Sequence, residues 1–237
     1  MDGKDMDLLE GLGHPACCKL HTFEMGLGYE YLFEPYHALI QKADQGFRRM
    51  EREFGACIKC EPRCADCCHA VFGLFLIEAV FLKHDFDQLD ESYRTPALQR
   101  AEAAESAWLK LQGSFEVFKD DPTMIAYTMA KARIRCPLLS DSDECILYPY
   151  RPITCRVYGI PCMARGVVRV CGKAGFQADQ SYPAFNLDGI HRELYHLSQE
   201  LLKSCGANDP ERASLLISVS KVIQTPPDEL IRILPGE

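Results

Sequence analysis

Cys57-Ile-Lys-Cys60-Glu-Pro-Arg-Cys64-Ala-Asp-Cys67-Cys68 puts five thiols within twelve residues, and an almost unbroken apolar run from Val71 to Leu82 follows at once. A run of that length reads as a buried core segment, and its Phe, Val and Ile suit a strand as well as a helix. Length decides for a helix over roughly 68–84, apolar on most sides. The thiols beside it need a chemical reason: disulfides, a metal ion or an iron–sulfur cluster. If the helix starts near Cys68, its positive N-terminal end faces the cysteine block and lowers the thiol pKa values.

Composition narrows the choice. The chain has 237 residues, 47% apolar and 25% charged, which is ordinary for a globular protein and excludes global disorder. Its net charge of -8 argues against non-specific nucleic-acid binding by the whole surface. No segment reaches the roughly 18–20 uninterrupted apolar residues of a membrane span. The start, Met1-Asp-Gly-Lys-Asp-Met-Asp, has neither the basic opening nor the apolar core of a secretory signal, so the expected compartment is the cytoplasm. A reducing compartment disfavours disulfides, and the odd count of 13 cysteines leaves one unpaired in any scheme. A chain this long needs no staples. Metal or cluster ligation is the first hypothesis.

Outward from the block, the chain reads as helices. Residues 1–29 form a loosely organised lead-in whose Cys17-Cys18 pair reads as incidental, with an extra ligand site as the alternative. A helix is expected from Tyr31 to Phe54, where Leu32, Tyr36, Leu39, Ile40, Ala43, Phe47 and Met50 recur at spacings of three and four. A third helix is expected over 91–119, with Trp108 and Leu109 on its core side, and a fourth from Asp121-Pro122 to about Arg133. Residues 134–185 lose helical periodicity and hold five prolines and five cysteines, with short β pieces expected at Ile153–Tyr158 and Gly166–Val170. Helices return at Leu187–Lys203, at Pro210–Ile223 and after Pro226. The expected fold is mainly α: a single helical domain over 30–237, five or six helices around an irregular cysteine-rich layer, with at most a small β-hairpin.

The second cysteine block reads Cys136-Pro-Leu-Leu, then Glu144-Cys145-Ile-Leu-Tyr148-Pro-Tyr-Arg151-Pro152-Ile-Thr-Cys155-Arg156-Val-Tyr158, then Cys162 and Cys171. Together with Cys60-x3-Cys64-x2-Cys67-Cys68, it resembles the YkgJ-type cysteine-cluster family, described as a zinc- or iron-chelating domain. The resemblance covers about 57–173, with 70–133 as a variable insert, and Arg-Pro-x-x-Cys-Arg is its most specific part. It implies that both blocks fold into one metal-binding centre. The candidate ligands are then Cys60, Cys64, Cys67, Cys68, Cys136, Cys145, Cys155, Cys162 and Cys171. The family supplies no general activity; a flagellin lysine methylase carries a similar region, which gives a modifying enzyme a precedent by analogy.

Spacing bears on the metal. Structural zinc normally uses two cysteine knuckles a dozen or more residues apart. Only three residues separate Cys57-x2-Cys60 from Cys64-x2-Cys67, too few for two such knuckles on one ion. Dense thiolates beside proline have the flavour of iron–sulfur ligation, so an iron–sulfur cluster of the four-iron type is preferred and zinc is the alternative. An adjacent pair such as Cys67-Cys68 rarely directs both sulfurs at one ion, which favours ligands shared with the second block. Residues 131–173 hold eight basic and three acidic side chains, a local +5 against -13 elsewhere. A thiolate-bound centre is anionic, and Arg151 and Arg156 are the candidates for stabilising it from outside the ligand set. An anionic substrate or a nucleic-acid patch is the alternative reading of that charge.

Other residues weigh less. His69 reads as a capping or exposed histidine, His191 and His196 do not share a helical face, Cys205 reads as a packing or surface thiol, and Cys57 is borderline. No catalytic residue can be assigned. The expected function is a metal-cluster protein in electron transfer, redox sensing or the redox core of a modifying enzyme, with a redox or protein partner. The alternatives are a structural zinc protein that acts through partners and a methylase-like enzyme. A pocket lined by Arg151, Arg156 and Tyr158 beside the centre is the expected mark of catalysis.

Overall fold

The computed structural model describes residues 28–233. Cys17 and Cys18, and the rest of the expected lead-in before residue 28, lie outside them. The architecture is mainly helical, with one small sheet. In chain order the helices are α1 (Phe33–Phe54), α2 (Leu76–Asp87), α3 (Glu91–Phe115), α4 (Pro122–Lys131), α5 (Ile153–Val157), α6 (Leu187–Ser204), α7 (Pro210–Ala213), α8 (Val219–Gln224) and α9 (Pro227–Leu230). The strands are β1 (Cys162–Ala164), β2 (Val167–Arg169) and β3 (Phe185–Asn186).

Helix α2 is the core of the molecule. Ile77, Ala79, Val80, Leu82 and Phe86 are buried on its successive faces, and it packs against α1, α6, α8 and α9. A helix enclosed on all sides must still satisfy its first amides. Here the Glu78 carboxylate takes the Phe75 amide at 3.3 Å, and Ser198 Oγ of α6 takes the Ile77 amide at 3.2 Å. The amphipathic helices follow their sequence pattern: α1 buries Tyr36, Ile40, Ala43 and Met50, and α6 buries Leu187, Ile190, Leu194, Leu201 and Leu202.

Four expectations are corrected. The helix expected over 68–84 starts only at Leu76. Cys67–His69 is a single 3-10 turn, and the chain then runs extended through Phe75. The cause is a distant partner. Leu74 exchanges both backbone hydrogen bonds with Ile217, at 2.8 and 2.9 Å, so this apolar stretch is a strap rather than a helical turn. Gly73 permits that approach, because a Cβ there would sit 2.6 Å from Leu216 Cβ. The α2 N-terminus is therefore not at the cysteine block. In α3 the buried stripe is Ala97, Ala101 and Ala104, whereas Leu109 is 61% exposed and Trp108 is half-buried. Ile153–Val157 is a helical turn, not a strand. The stretch Pro210–Ile223 breaks into α7 and α8, because the intervening residues supply the strap's partner at Ile217.

The sheet has the order β2-β1-β3, with β1–β2 antiparallel and β1–β3 parallel. Arg165 and Gly166 both have positive φ, as a two-residue hairpin turn of the primed type requires. Their amides donate to the Asp188 carboxylate at 2.6 and 3.0 Å. No helix among the described residues is long and apolar enough to cross a membrane.

Candidate metal centre

The two cysteine blocks meet through their backbones. The Cys136 amide donates to the Cys68 carbonyl at 2.7 Å, the Ile134 amide to the His69 carbonyl at 3.0 Å, and Ala70 forms a bridge with Arg133. A second bridge, Leu139 to Cys145, folds the Ser140–Glu144 loop back so that Cys145 returns beside Cys136. Cys155 is delivered by α5, which packs on α1.

As a result Cys67, Cys68, Cys136, Cys145 and Cys155 line one cavity of about 80 Å³. That is several times the roughly 10–15 Å³ a single buried water needs. The remaining walls are largely apolar and come from the strap (Ala70, Val71, Phe72), α3 (Ala104, Trp108) and α8 (Val219). Cys67 Sγ and Cys68 Sγ are 4.0 Å apart. Four sulfurs held at about 2.3 Å by a tetrahedral ion stand roughly 3.8 Å from one another. The 3-10 turn thus gives adjacent cysteines a spacing that two ligands of one ion can have.

The electrostatics describe a site short of positive charge. Burial pushes the Cys136 thiol up to about 12, with Cys145 adding to it. Burial also raises Cys145, and it raises Cys155 further, with Cys67, Cys136 and Cys145 as contributing neighbours. Cys67 lies below the ordinary thiol range because of its hydrogen bond with Cys68; the same bond, with burial, raises Cys68. A helix dipole has no part in this. The Arg151 guanidinium opposes the rise at Cys145 and Cys155 and adds to the fall at Cys67, and it lines the cavity while lying 3.8 Å over the Tyr148 ring. A bound cation would reverse this pattern, since a coordinating thiol is deprotonated outright. The donor set therefore fits a soft metal or a cluster.

A second group lies just outside. Burial pushes Cys60 up to about 11, with Cys64, Cys171 and Cys67 adding to it, so these thiols are neighbours and Cys67 joins the two groups. Gly159, just after α5, closes this corner, because a Cβ there would collide with the Cys60 sulfur. The Cys171 thiol donates to Asp66 Oδ2 at 3.2 Å. Asp66 also pairs with Arg133 at 3.6 Å and Lys173 at 3.9 Å. Sequence reasoning missed Asp66; its place between Cys64 and Cys67 was the available signal. Among the described residues, no three His, Cys, Asp or Glu side chains are already posed as a group that could hold a metal ion. The thiols share walls without forming a finished ligand set.

No family model, curated protein or solved structure matches this chain.

Several singled-out residues stand apart from the cavity. Cys162 belongs to the hydrophobic core, and its thiol donates to the Val157 carbonyl at 3.2 Å. Burial alone pushes it up to about 12, with no other thiol contributing. Arg156 is 7% exposed and clamps the turn before α5 to α1. Its Nη1 donates to Asp44 at 3.0 and 3.2 Å, its Nε donates to the Arg151 carbonyl at 2.9 Å, and its Nη2 donates to the Pro149 carbonyl. Tyr158 accepts from Arg133 Nη1 at 3.3 Å. Of Arg151, Arg156 and Tyr158, only Arg151 lines the cavity. His69 Nδ1 is paired with the Ala65 carbonyl at 2.9 Å, and Cys205 is exposed at the end of α6. The Cys57 carbonyl accepts from the Gly175 amide at 2.7 Å.

Proposed function

We propose that the chain binds a thiolate-held metal centre, an iron–sulfur cluster of the four-iron type, with ligands drawn from both cysteine blocks. It would act in the cytoplasm in electron transfer, redox sensing or as the redox core of a modifying enzyme. The observation that carries the reading is the single cavity walled by Cys67, Cys68, Cys136, Cys145 and Cys155. Five thiols exceed the four that one ion takes, and the space is several times that of one buried water, which suits a group larger than a single ion. The resemblance to the YkgJ-type family supports the same ligands.

When bound, the cluster supplies one-electron chemistry. The chain's own residues hold it, exclude water with Val71, Phe72 and Trp108, and offset its negative charge with Arg151. Cys60, Cys64 and Cys171 would extend the ligand set on the outer side; Cys162 belongs to the core and is not proposed as a ligand.

Structural zinc is the second reading, favoured by one observation: the 4.0 Å spacing of Cys67 and Cys68 suits two ligands of one ion better than ligands of separate irons. The test is metal and acid-labile sulfide analysis of protein purified without air. Brown protein with iron and sulfide in equal amounts supports the cluster; colourless protein with stoichiometric zinc contradicts it and selects the second reading.

A further inference from the structure

The thiol cavity has a larger neighbour of about 430 Å³. That volume is in the range of small-molecule sites, which run from about 300 to 1,000 Å³. Val71, Phe72, Trp108 and Ser218 line both cavities and so form their common wall. The large cavity is also bounded by Met129 of α4, by Leu215 and Leu216 beside the strap, and by Ile233.

Its polar side chains are Glu105 and Gln112 of α3, Ser218, and Lys221 of α8, and Glu105 is the one acid among them. One carboxylate oxygen, Oε2, receives the Ser220 hydroxyl at 2.8 Å and the Ser218 hydroxyl at 3.5 Å. These bonds tie the carboxylate to the start of α8 and fix its direction. Oε1 has no such partner among the described residues. An oriented carboxylate with one oxygen free of protein partners on a cavity wall can accept a hydrogen bond from a ligand.

We propose that this cavity binds a small molecule with an apolar body and one hydrogen-bond-donating head, a hydroxyl or an amine. The head donates to Glu105 Oε1, and the body rests on Phe72 and Trp108. Such a ligand sits one side-chain layer from the thiols, where a substrate or electron partner of a bound centre would be needed. The site itself rests on the cavity and on Glu105 and does not require the metal reading to hold.

Trp108 is the only tryptophan in the chain and lies in the common wall, so its emission reports the cavity directly. The experiment titrates the full chain with 4-butylphenol and, separately, with butylbenzene, before and after removal of metal. A saturable shift of Trp108 emission is expected with 4-butylphenol, and butylbenzene should bind about tenfold more weakly because it lacks the bond to a charged acceptor. Glu105→Gln should reduce the difference between the two probes. Met129→Phe, with folding checked by thermal melting, should weaken both by filling the cavity. No saturable shift with either probe on wild-type protein overturns the proposal, and so does equal affinity for the two. Failure to find metal leaves this titration unaffected, so the two readings fail separately.

Discussion

The Cys136 amide donates to the Cys68 carbonyl at 2.7 Å, joining the two cysteine blocks by main chain independently of any ion. The neighbouring bond from Ile134 to His69 and the Ala70–Arg133 bridge extend the joint to a short ladder. The walls of the thiol cavity are thus built by backbone pairing, with α3 and α8 closing the side beside the strap.

Removing metal should therefore leave the helices in place. After treatment with a strong chelator, far-UV circular dichroism should keep its helical signal, while the melting temperature falls because the bound state loses its ligand. Collapse of the helical signal on chelation would mean that the metal, not this ladder, organises the domain.

Cys162 and the cavity cysteines should part company under substitution. Cys162→Ala should retain full metal content and cost about 1–1.5 kcal/mol, as expected for deleting one buried heavy atom. Urea unfolding and metal analysis on the same sample check both halves. Loss of metal from this variant would put Cys162 back among the ligands.

Arg151 and Arg156 are five residues apart and should behave oppositely. Asp44→Ala leaves the Arg156 guanidinium buried without its carboxylate. It should cost about 2–3 kcal/mol, less than for a fully buried pair because the Asp44 side chain is 31% exposed. Arg151→Gln should change stability little but lower the reduction potential of a redox-active centre, because it removes the cation beside the thiols. A redox titration of both variants separates the roles.

Glu78 predicts a pH dependence. Burial raises its carboxyl from 4.5 to about 7, against the opposing amides of Ile153 and Phe75 and the Tyr36 hydroxyl. Because the folded state binds this proton more tightly than the unfolded chain, the contribution is present below about pH 4.5 and is lost as pH rises through about 7. The full difference is on the order of 3 kcal/mol. Urea unfolding of wild-type and Glu78→Gln protein at pH 5 and pH 8 reads it: wild type should lose stability relative to the variant across the window. Parallel pH dependence in the two would assign the slope to other groups.

Much of the fold is legible where one helix face decides it. The three-and-four spacing of Tyr36, Ile40, Ala43 and Met50 sets α1, and Asp121 caps α4 through the amides of Thr123 and Met124, each at 3.0 Å. The strap is not legible, because Leu74 is extended by its bonds to Ile217, far along the chain. Gly73 within an apolar run was the one local sign of a close backbone approach. The same limit applies at the site. Cysteine spacing singles out Cys136, Cys145 and Cys155, yet nothing in it separates them from Cys162, which tertiary packing turns into the core. Arg151 and Arg156 look equivalent in sequence until Asp44 on α1 takes one of them.

The most direct test of the account is the metal content of Cys145→Ser and Cys155→Ser beside Cys67→Ser, all purified without air and shown to be folded. One centre shared by both blocks predicts that each variant loses metal to a similar extent. Full metal content in the Cys145 and Cys155 variants, with loss only from Cys67→Ser, would contradict the shared centre and confine any site to the first block.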